Sequence, residues 1–274
     1  MIAFLSDNYV LLAALAGAGV FAGLVAGLFG IGGGVVIVPA LYYVLRTLGY
    51  DEHAMHVAVG TSLATIVATS IRSVMSHDAK GAVDWDVIKG WTPFIALGAL
   101  LGSILAGWIS GAELTLIFGF IGLVVAAQFI FGRPSWRIAD DLPKGAGRIA
   151  GGAGIGLLSS LMGIGGGVFG VTLMTLFGRP IHQAIGTAAG FGAAIGLPAA
   201  VGYAYGGWGE AGLPPFSIGY VSAPGFVAIA LLTTSLAPFG ARLAHSLNSV
   251  LLKRLFGILM ALTALNMLRE ILMS

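Results

Sequence analysis

The feature that most constrains this chain is a glycine-rich stretch that occurs twice inside long apolar runs. It reads Gly-Ile-Gly-Gly-Gly at Gly30–Gly34 and again at Gly163–Gly167. Each glycine costs an α-helix about 1 kcal/mol relative to alanine, so this composition predicts a break in the helix. A break within a membrane segment exposes backbone N–H and C=O groups that lipid cannot satisfy. We therefore expect both stretches to lie inside the protein, as the two halves of one binding site.

Composition predicts a membrane protein. Hydrophobic residues make up 58% of the 274 residues and charged residues only 9%, whereas soluble domains carry about 25% charged residues. The absence of cysteine excludes disulfides, thiol catalysis and cysteine-bound metals. The residues before the first apolar run contain no Lys or Arg, so we expect that run to be retained rather than cleaved as a signal peptide.

Other motifs also occur in pairs and predict an internal duplication. The segment His56-Val-Ala-Val-Gly-Thr61 resembles His182-Gln-Ala-Ile-Gly-Thr187, and Gln128 and Asn266 follow in corresponding places. A duplicated unit shows such matches in the same order, with offsets that drift only through loops. We predict a first transmembrane repeat over residues 1–132, a linker over 133–148 and a second repeat over 149–274.

The apolar segments predict the membrane topology. They fall at roughly 9–29, 34–48, 54–75, 91–110, 113–131, 149–163, 167–178, 183–204, 219–239 and 250–272. Several are shorter than the roughly 17–25 residues of a spanning helix. Counting each glycine-broken pair as two crossings gives an odd number per half, which inverts one half relative to the other. The predicted fold is all-α and polytopic, with two inverted repeats whose glycine-broken, hairpin-like helices meet near the bilayer midplane.

This topology also separates the basic residues. One side of the membrane collects every Lys and Arg except Arg46 and Arg269. The positive-inside rule makes that side cytoplasmic, in a bacterial-type inner (plasma) membrane. Both termini then face away from the cytoplasm, and the linker between the repeats lies in it.

The glycine stretches are candidates for binding an anion. The N–H groups and the dipole at a helix start attract negative charge. One helix start contributes at most about 2 kcal/mol, whereas desolvating an ion costs several kcal/mol, so neutral donors must assist. The candidate binding residues are Gly32, Gly33, Gly34, Gly165, Gly166, Gly167, Thr61, Ser62, Thr187, Gln128 and Asn266. The alternative for the hydroxyl and amide side chains is hydrogen bonding between helices.

Three charged or titratable side chains are candidates for gating or proton-linked roles. His56 and His182 begin corresponding helices and belong to a residue type that titrates near neutral pH; the alternative is packing at the membrane interface. Arg72 could draw an anion into an inner vestibule, or could simply extend its charge to the interface. No Asp, Glu or Lys lies near the centre of a segment, which argues against a buried carboxylate relay. Coupling would then run through histidine, through protonation of the substrate, or not occur.

The order and spacing of the motifs resemble the TauE/SafE sulfite exporter family over nearly the whole chain. The first half carries Gly27-Leu-Phe-Gly-Ile-Gly-Gly-Gly-Val-Val-Ile-Val-Pro39, Val59-Gly-Thr-Ser62 and His77-Asp-Ala-Lys-Gly-Ala-Val-Asp-Trp85. The second carries Met162–Gly167, His182–Thr187, Leu213–Val221 and Gly240–His245. The resemblance implies export of sulfite, organosulfonates or related sulfur oxyanions. Two departures are Thr172 at a position where the family motif often has proline, and Ala188 in place of the serine that follows threonine.

These observations predict an integral membrane transporter that exports a small sulfur-containing oxyanion, such as sulfite or an organosulfonate, by alternating access. The alternatives are an anion channel, which needs no coupling, and a transporter of another small organic anion such as a carboxylate. An enzyme is not expected, because no nucleophile with its base and no metal-ligand set is evident. Expected partners are the anionic substrate, the lipid bilayer and a second copy in a homodimer, with no cofactor, metal or nucleic acid.

Overall fold

The structure is a bundle of α-helices with one short β-hairpin. The computed structural model describes residues 9–132 and 137–273, so predictions for the first eight residues and for 133–136 of the linker lie outside the described residues. The helices in this part of the chain are α1 (Tyr9–Phe29), α2 (Gly34–Thr47), α3 (Ala54–Asp78), α4 (Trp85–Ala106), α5 (Gly111–Phe131), α6 (Ala146–Met162), α7 (Gly167–Leu176), α8 (Ile181–Gly206), α9 (Ala223–Ser246) and α10 (Ser249–Met273). Between α8 and α9, β1 (Ser217–Ile218) pairs antiparallel with β2 (Val221–Ser222).

Six of the described helices are long and apolar enough to cross a membrane: α3, α4, α5, α8, α9 and α10. Shorter apolar helices lie on either side of the glycine stretches, at Ala16–Phe29 of α1, at α2 and at α7. The predicted all-α, multi-pass class is therefore confirmed. The number of crossings made by the glycine-broken pairs stays a prediction, as does the inversion of the repeats.

The starts of α4, α5 and α9 are set by capping side chains, which a hydropathy profile does not detect. The Asp84 carboxylate accepts from the N–H of Val87 at 3.1 Å, so α4 begins before the apolar segment predicted from residue 91. Ser110 and Glu113 form a reciprocal capping box at α5. Ser222 caps α9 by accepting from the N–H of Gly225 at 3.3 Å. These caps move the observed starts by up to two turns from the predicted ones.

The two halves pack against each other through matching helices. The first helix of each half lies against the fourth helix of the other, as α1 with α9 and α6 with α4. A Cβ on Gly27 of α1 would overlap the carbonyl oxygen of Ala237 in α9, and one on Gly156 of α6 would overlap that of Ile95 in α4. The third helices (α3 with α8) and the fifth helices (α5 with α10) also pair. Exchanging the two halves therefore reproduces the main helix contacts.

The two ends of the bundle differ in charge. We call the end where α3 and α9 finish and α4, α6, α8 and α10 begin the basic end. Every described Lys and Arg except Arg46 and Arg269 lies in its loops or in the adjoining turns. At the opposite end, Arg46 pairs with Glu270 and, at 2.8 Å, with Asp51.

Candidate anion-binding site

The two glycine stretches touch each other. The N–H of Gly165 donates to the carbonyl oxygen of Ile31 at 3.1 Å. Ile66, at the middle of α3, packs against both stretches: Cβ atoms placed on Gly32 and Gly165 would lie 2.8 and 3.3 Å from its side chain. The contact therefore lies near the midpoint of a helix long enough to span a membrane.

Left-handed backbone at the glycines breaks the helices there. Gly33, the residue before α2, has φ 86°, and Gly163, the residue after α6, has φ 67°. Side chains other than glycine rarely adopt this conformation, so the two breaks need glycine at these points. A Cβ on Gly33 would also lie 2.9 Å from the carbonyl oxygen of Ala22.

The short helices begin crosswise against the opposite stretch. Gly34 starts α2 beside Gly163 and Ile164, with no room for a Cβ next to the Gly163 carbonyl oxygen. Gly167 starts α7 beside Gly30 and Ile31, where a Cβ would lie 2.6 Å from the Gly30 carbonyl oxygen. The neighbouring Gly166 has no room for a Cβ beside Phe191. Each helix start thus packs against the glycine stretch of the other half, too closely to admit even a methyl group.

Ser62 forms a direct hydrogen bond to the second glycine stretch. Its hydroxyl donates to the carbonyl oxygen of Gly163 at 2.8 Å, and its side chain is fully buried. Ser62 therefore binds the turn that ends α6 and holds α3 against the second glycine stretch.

The paired threonines Thr61 and Thr187 lie at two matching contacts between the halves. Thr61 Oγ1 accepts from the N–H of Ser222, the residue before α9, at 2.9 Å. Thr187 Oγ1 accepts from the N–H of Asp84, the residue before α4, also at 2.9 Å. Both threonines are fully buried. Each hydroxyl thus holds the loop that leads into the fourth helix of the other half.

The glycine before each threonine completes this contact. A Cβ on Gly60 would overlap the carbonyl oxygen of Tyr220, and one on Gly186 would overlap that of Ala82. We call each Gly-Thr pair with the loop that it holds a latch. The Gly60–Thr61 latch lies towards the opposite end and the Gly186–Thr187 latch at the basic end.

Gln128 and Asn266 lie beside the short helices. The Thr172 hydroxyl of α7 is 3.5 Å from Gln128 Oε1. The hydroxyl of Tyr43 in α2 donates to the backbone oxygen of Asn266 at 3.4 Å, while the Asn266 side chain is exposed. Among the described contacts, neither amide reaches the glycine stretches. Their role in anion binding stays a prediction.

His56 packs into the opposite end of the molecule. Its Nε2 lies 3.0 Å from the carbonyl oxygen of Ile109 and 3.2 Å from that of Ala106, and its ring lies 4.8 Å from that of Tyr220. Burial first, then the negative charges of Glu210 and Glu52, raise the pKa of the Tyr220 phenol. His56 therefore packs against a neutral phenol beside the Gly60–Thr61 latch.

Arg72 lies on a basic cavity at the basic end. This cavity has a volume of about 460 Å³ and is lined by the cationic side chains of Arg72, Lys80 and Arg242, together with parts of α3 and α9. None of the three cations pairs with a carboxylate among the described residues. The sequence indicates Arg72 as a candidate but not Lys80 or Arg242. The proximity of these two residues to Arg72 depends on the packing of α9 against α3.

A second, much smaller cavity adjoins the start of α7. Its volume is about 10 Å³, enough for about one water molecule. It is lined by Gly167, by the half-buried Lys253 and by apolar side chains that include Phe29, Phe129 and Phe256. From the sequence, Lys253 is only one of the charges on the basic side of the membrane, and its position on the same cavity as a helix start is a finding of the structure.

A polar stripe on α3 was also missed. Thr61, Thr65, Thr69, Ser73 and His77 recur every four residues and all are buried. This spacing places them on one helix face. Thr69 Oγ1 lies 2.7 Å from Thr233 Oγ1 of α9, and Ser73 Oγ lies 3.5 Å from the carbonyl oxygen of Ala26 in α1. The repeat of four in the sequence could have revealed this face.

Comparisons with known proteins agree over nearly the full length. A family model described as "Sulfite exporter TauE/SafE" matches residues 15–267. A "Probable membrane transporter protein" of Haemophilus influenzae is 34% identical over 95% of this chain and 98% of its own length. A "Probable membrane transporter protein MJ0441" of Methanocaldococcus jannaschii is 28% identical over 63% of this chain and 64% of its own length. No solved structure matches the chain.

These matches bear directly on the helix bundle described above. The family match includes both glycine stretches, both latches, five of the six long apolar helices and most of the sixth. The relatives are named as membrane transporters, which agrees with the multi-pass architecture. The chain therefore belongs to the sulfite exporter TauE/SafE family of membrane transporters.

Proposed function

We propose that this transporter exports a small sulfur-containing oxyanion, such as sulfite or an organosulfonate, by alternating access. The observation that carries the proposal is that each of two helix starts, Gly34 and Gly167, packs against the opposite glycine stretch, near the middle of α3. Helix starts attract anions through their N–H groups and dipole. The choice of sulfur compound rests on the description of the family, "Sulfite exporter TauE/SafE".

The close packing of the glycine stretches supports alternating access rather than an open pore. An anion between the helix starts needs more room than the methyl group that Gly34 already excludes. Binding therefore requires the two stretches to separate, and the matching contacts of the two halves supply elements that can rock against each other. An odd number of helices in each half makes the halves inverted repeats, and the positive-inside rule makes the basic end cytoplasmic.

The basic cavity provides access for the anion from the cytoplasm. Arg72, Lys80 and Arg242 create a positive potential at its mouth, and clustered charge of one sign raises encounter rates by about 10- to 1,000-fold. The small cavity lined by Gly167 and Lys253 then combines a helix start with a cation. The cations of the two cavities together supply the charge stabilisation that two helix starts alone lack.

Substitution of the cavity arginines is expected to slow capture of the anion. In proteoliposomes at low salt, Arg72→Gln and Arg242→Gln should each raise the transport KM several-fold, up to about tenfold. The effect should fade at about 1 M salt, where the screening length is about 3 Å. Lys144→Gln, at an exposed lysine in the loop before α6, is the matched control. Equal salt dependence in all three variants would contradict a role in steering.

Neutralising Lys253 is expected to weaken binding rather than encounter. A hydrogen bond to a charged group contributes about 1.5–3 kcal/mol, so Lys253→Gln should weaken affinity at least about tenfold at any salt concentration. Arg254→Gln removes the same charge from the next residue, which is exposed, and should leave affinity unchanged. Isothermal titration of both purified variants with sulfite and with a short organosulfonate checks this. Equal losses in the two variants would remove Lys253 from the site.

A flux experiment tests the function itself. Purified protein in vesicles is given labelled sulfite, sulfate, thiosulfate, short organosulfonates or carboxylates, and uptake is followed with unlabelled anion on the opposite side. Saturable flux with counterflow of one sulfur oxyanion is the expected result. Flux without saturation or counterflow would indicate a channel. Counterflow with carboxylates alone would overturn the substrate class and leave alternating access in place.

A further inference from the structure

Three histidines from three helices meet at the basic end. His77 lies in the last turn of α3, His182 in the first turn of α8 and His245 in the last turn of α9. His77 Nδ1 is 3.2 Å from His245 Nε2, and the rings of His182 and His245 stack with centroids 5.6 Å apart. We propose that this histidine cluster binds one proton, and that binding and release of this proton are coupled to movement of the anion. This proposal rests on the proposed transport function.

The tautomers of the pair follow from its contacts. His77 Nε2 lies 2.9 Å from the carbonyl oxygen of Gly27, which can only accept, so Nε2 carries the hydrogen. In neutral His77 the Nδ1 atom then carries a lone pair and no hydrogen, so His245 must donate to it from Nε2–H. The lone pair left on His245 Nδ1 is the point where a proton adds. The resulting imidazolium donates a charge-assisted hydrogen bond to His77, which is stronger than the neutral one.

The surroundings limit the cluster to one proton. A second proton would place two positive charges on rings whose centroids lie only 5.3 to 5.6 Å apart, and like charges at such distances repel. The nearest carboxylates are engaged elsewhere: Asp78 accepts from Trp85 Nε1 at 2.8 Å, and Asp84 caps α4. The other charged residues on the neighbouring helices and loops are Arg72, Lys80, Asp86, Lys89, Arg179, Arg242, Lys253 and Arg254, of which Arg179 pairs with Asp141.

The same contacts argue against a metal site. Both ring nitrogens of His77 are used, one by the Gly27 carbonyl oxygen and one by His245, so no lone pair of this residue is directed to an ion. No group of three or more metal-ligating side chains is arranged around an ion position in the described part of the chain. His182 Nε2 is buried without a hydrogen-bond partner among the described atoms, and the His182 ring stacks on that of His245.

The cluster crosses the boundary between the two halves. His77 belongs to the first half, and His182 and His245 belong to the second. Gly186, one turn after His182, packs closely against the Ala82 carbonyl oxygen. A Cβ on Gly186 would lie 3.2 Å from the His77 Cβ. Separating the halves at this end would break the bond between His77 and His245. The proton would then lose its stabilising acceptor, so opening of the basic end favours proton release.

The test uses the full-length protein in vesicles with the membrane potential clamped at zero by potassium and valinomycin. A gradient of one pH unit corresponds to about a tenfold concentration ratio for each coupled proton. In the wild type we expect that gradient to shift the steady-state anion ratio about tenfold. His245→Gln and His182→Gln should keep counterflow and lose the response to pH. His53→Gln, at a histidine of the opposite end, is the matched control and should retain it.

Two outcomes would overturn the proposal while leaving transport intact: a wild-type anion ratio that ignores the pH gradient, or a full response in His245→Gln. If no tested anion moves, the transport function fails instead, and the cluster is judged by nitrogen NMR of labelled histidine. That spectrum should show His77 protonated at Nε2 and one proton taken up by the His77–His245 pair in the wild type. Uptake that is unchanged in His245→Gln would contradict the proton site independently of flux.

Discussion

Gly34→Ala is expected to impair transport by inserting a methyl group between the two glycine stretches. The added Cβ would overlap the Gly163 carbonyl oxygen and lie 2.9 Å from Ile164 Cα, and both atoms belong to backbone that cannot move aside cheaply. Overpacking of this kind costs about 1–3 kcal/mol. Because about 1.4 kcal/mol changes an equilibrium tenfold, the closed arrangement would lose about one to two orders of magnitude in population. Counterflow should fall at least tenfold.

The structure offers matched variants for this prediction. Gly167→Ala inserts the equivalent methyl group from the other half, next to Gly30 and Ile31, and should have a similar effect. Gly154→Ala, within α6, meets nothing within 4 Å and should leave flux intact. Insertion and thermal stability in detergent are measured alongside, so that loss of flux is separated from loss of folding. Full counterflow in well-folded Gly34→Ala would show that the contact between the stretches plays no part in the cycle.

The contact between the glycine stretches could be anticipated from the sequence because its cause is local. Glycines at a helix break, inside two apolar runs, must be buried by protein wherever they lie in the bilayer. Two copies in a duplicated chain meet if the halves pack with matching helices. The caps at Asp84 and Ser222 were equally local, but hydropathy ignores capping, so the starts of α4 and α9 were misplaced.

The histidine cluster and the basic cavity could not be anticipated in the same way. His77 and His245 lie in different halves, and their contact depends on how α9 packs against α3. A buried threonine such as Thr61 suits an anion ligand and a structural acceptor equally well. The choice between them depends on which backbone N–H faces it, and for Thr61 that group comes from Ser222, far along the chain.

Thr61→Val is therefore expected to destabilise the protein without changing its affinity for the anion. The substitution removes the acceptor of the Ser222 N–H, which lies in a buried residue. An unsatisfied buried donor costs about 1–3 kcal/mol, and we expect a Tm lower by several degrees. Thr187→Val should cost less, because Asp84 is only half-buried and its N–H can find water. Thr61→Ser retains the hydroxyl and should stay near the wild-type Tm.

If Thr61 holds a loop, the Tm and the anion Kd of its variants follow one pattern. If Thr61 binds the anion, the two quantities follow the opposite pattern. If Thr61 holds the loop before α9, Thr61→Val lowers the Tm and leaves the anion Kd unchanged, and Thr61→Ser keeps both at their wild-type values. If Thr61 instead binds the anion, the Kd rises and the Tm of the ligand-free protein stays constant. A latch that must open during transport adds a kinetic signature. Weakening it should change the rate of counterflow at an unchanged anion Kd, whereas loss of an anion ligand should raise the Kd.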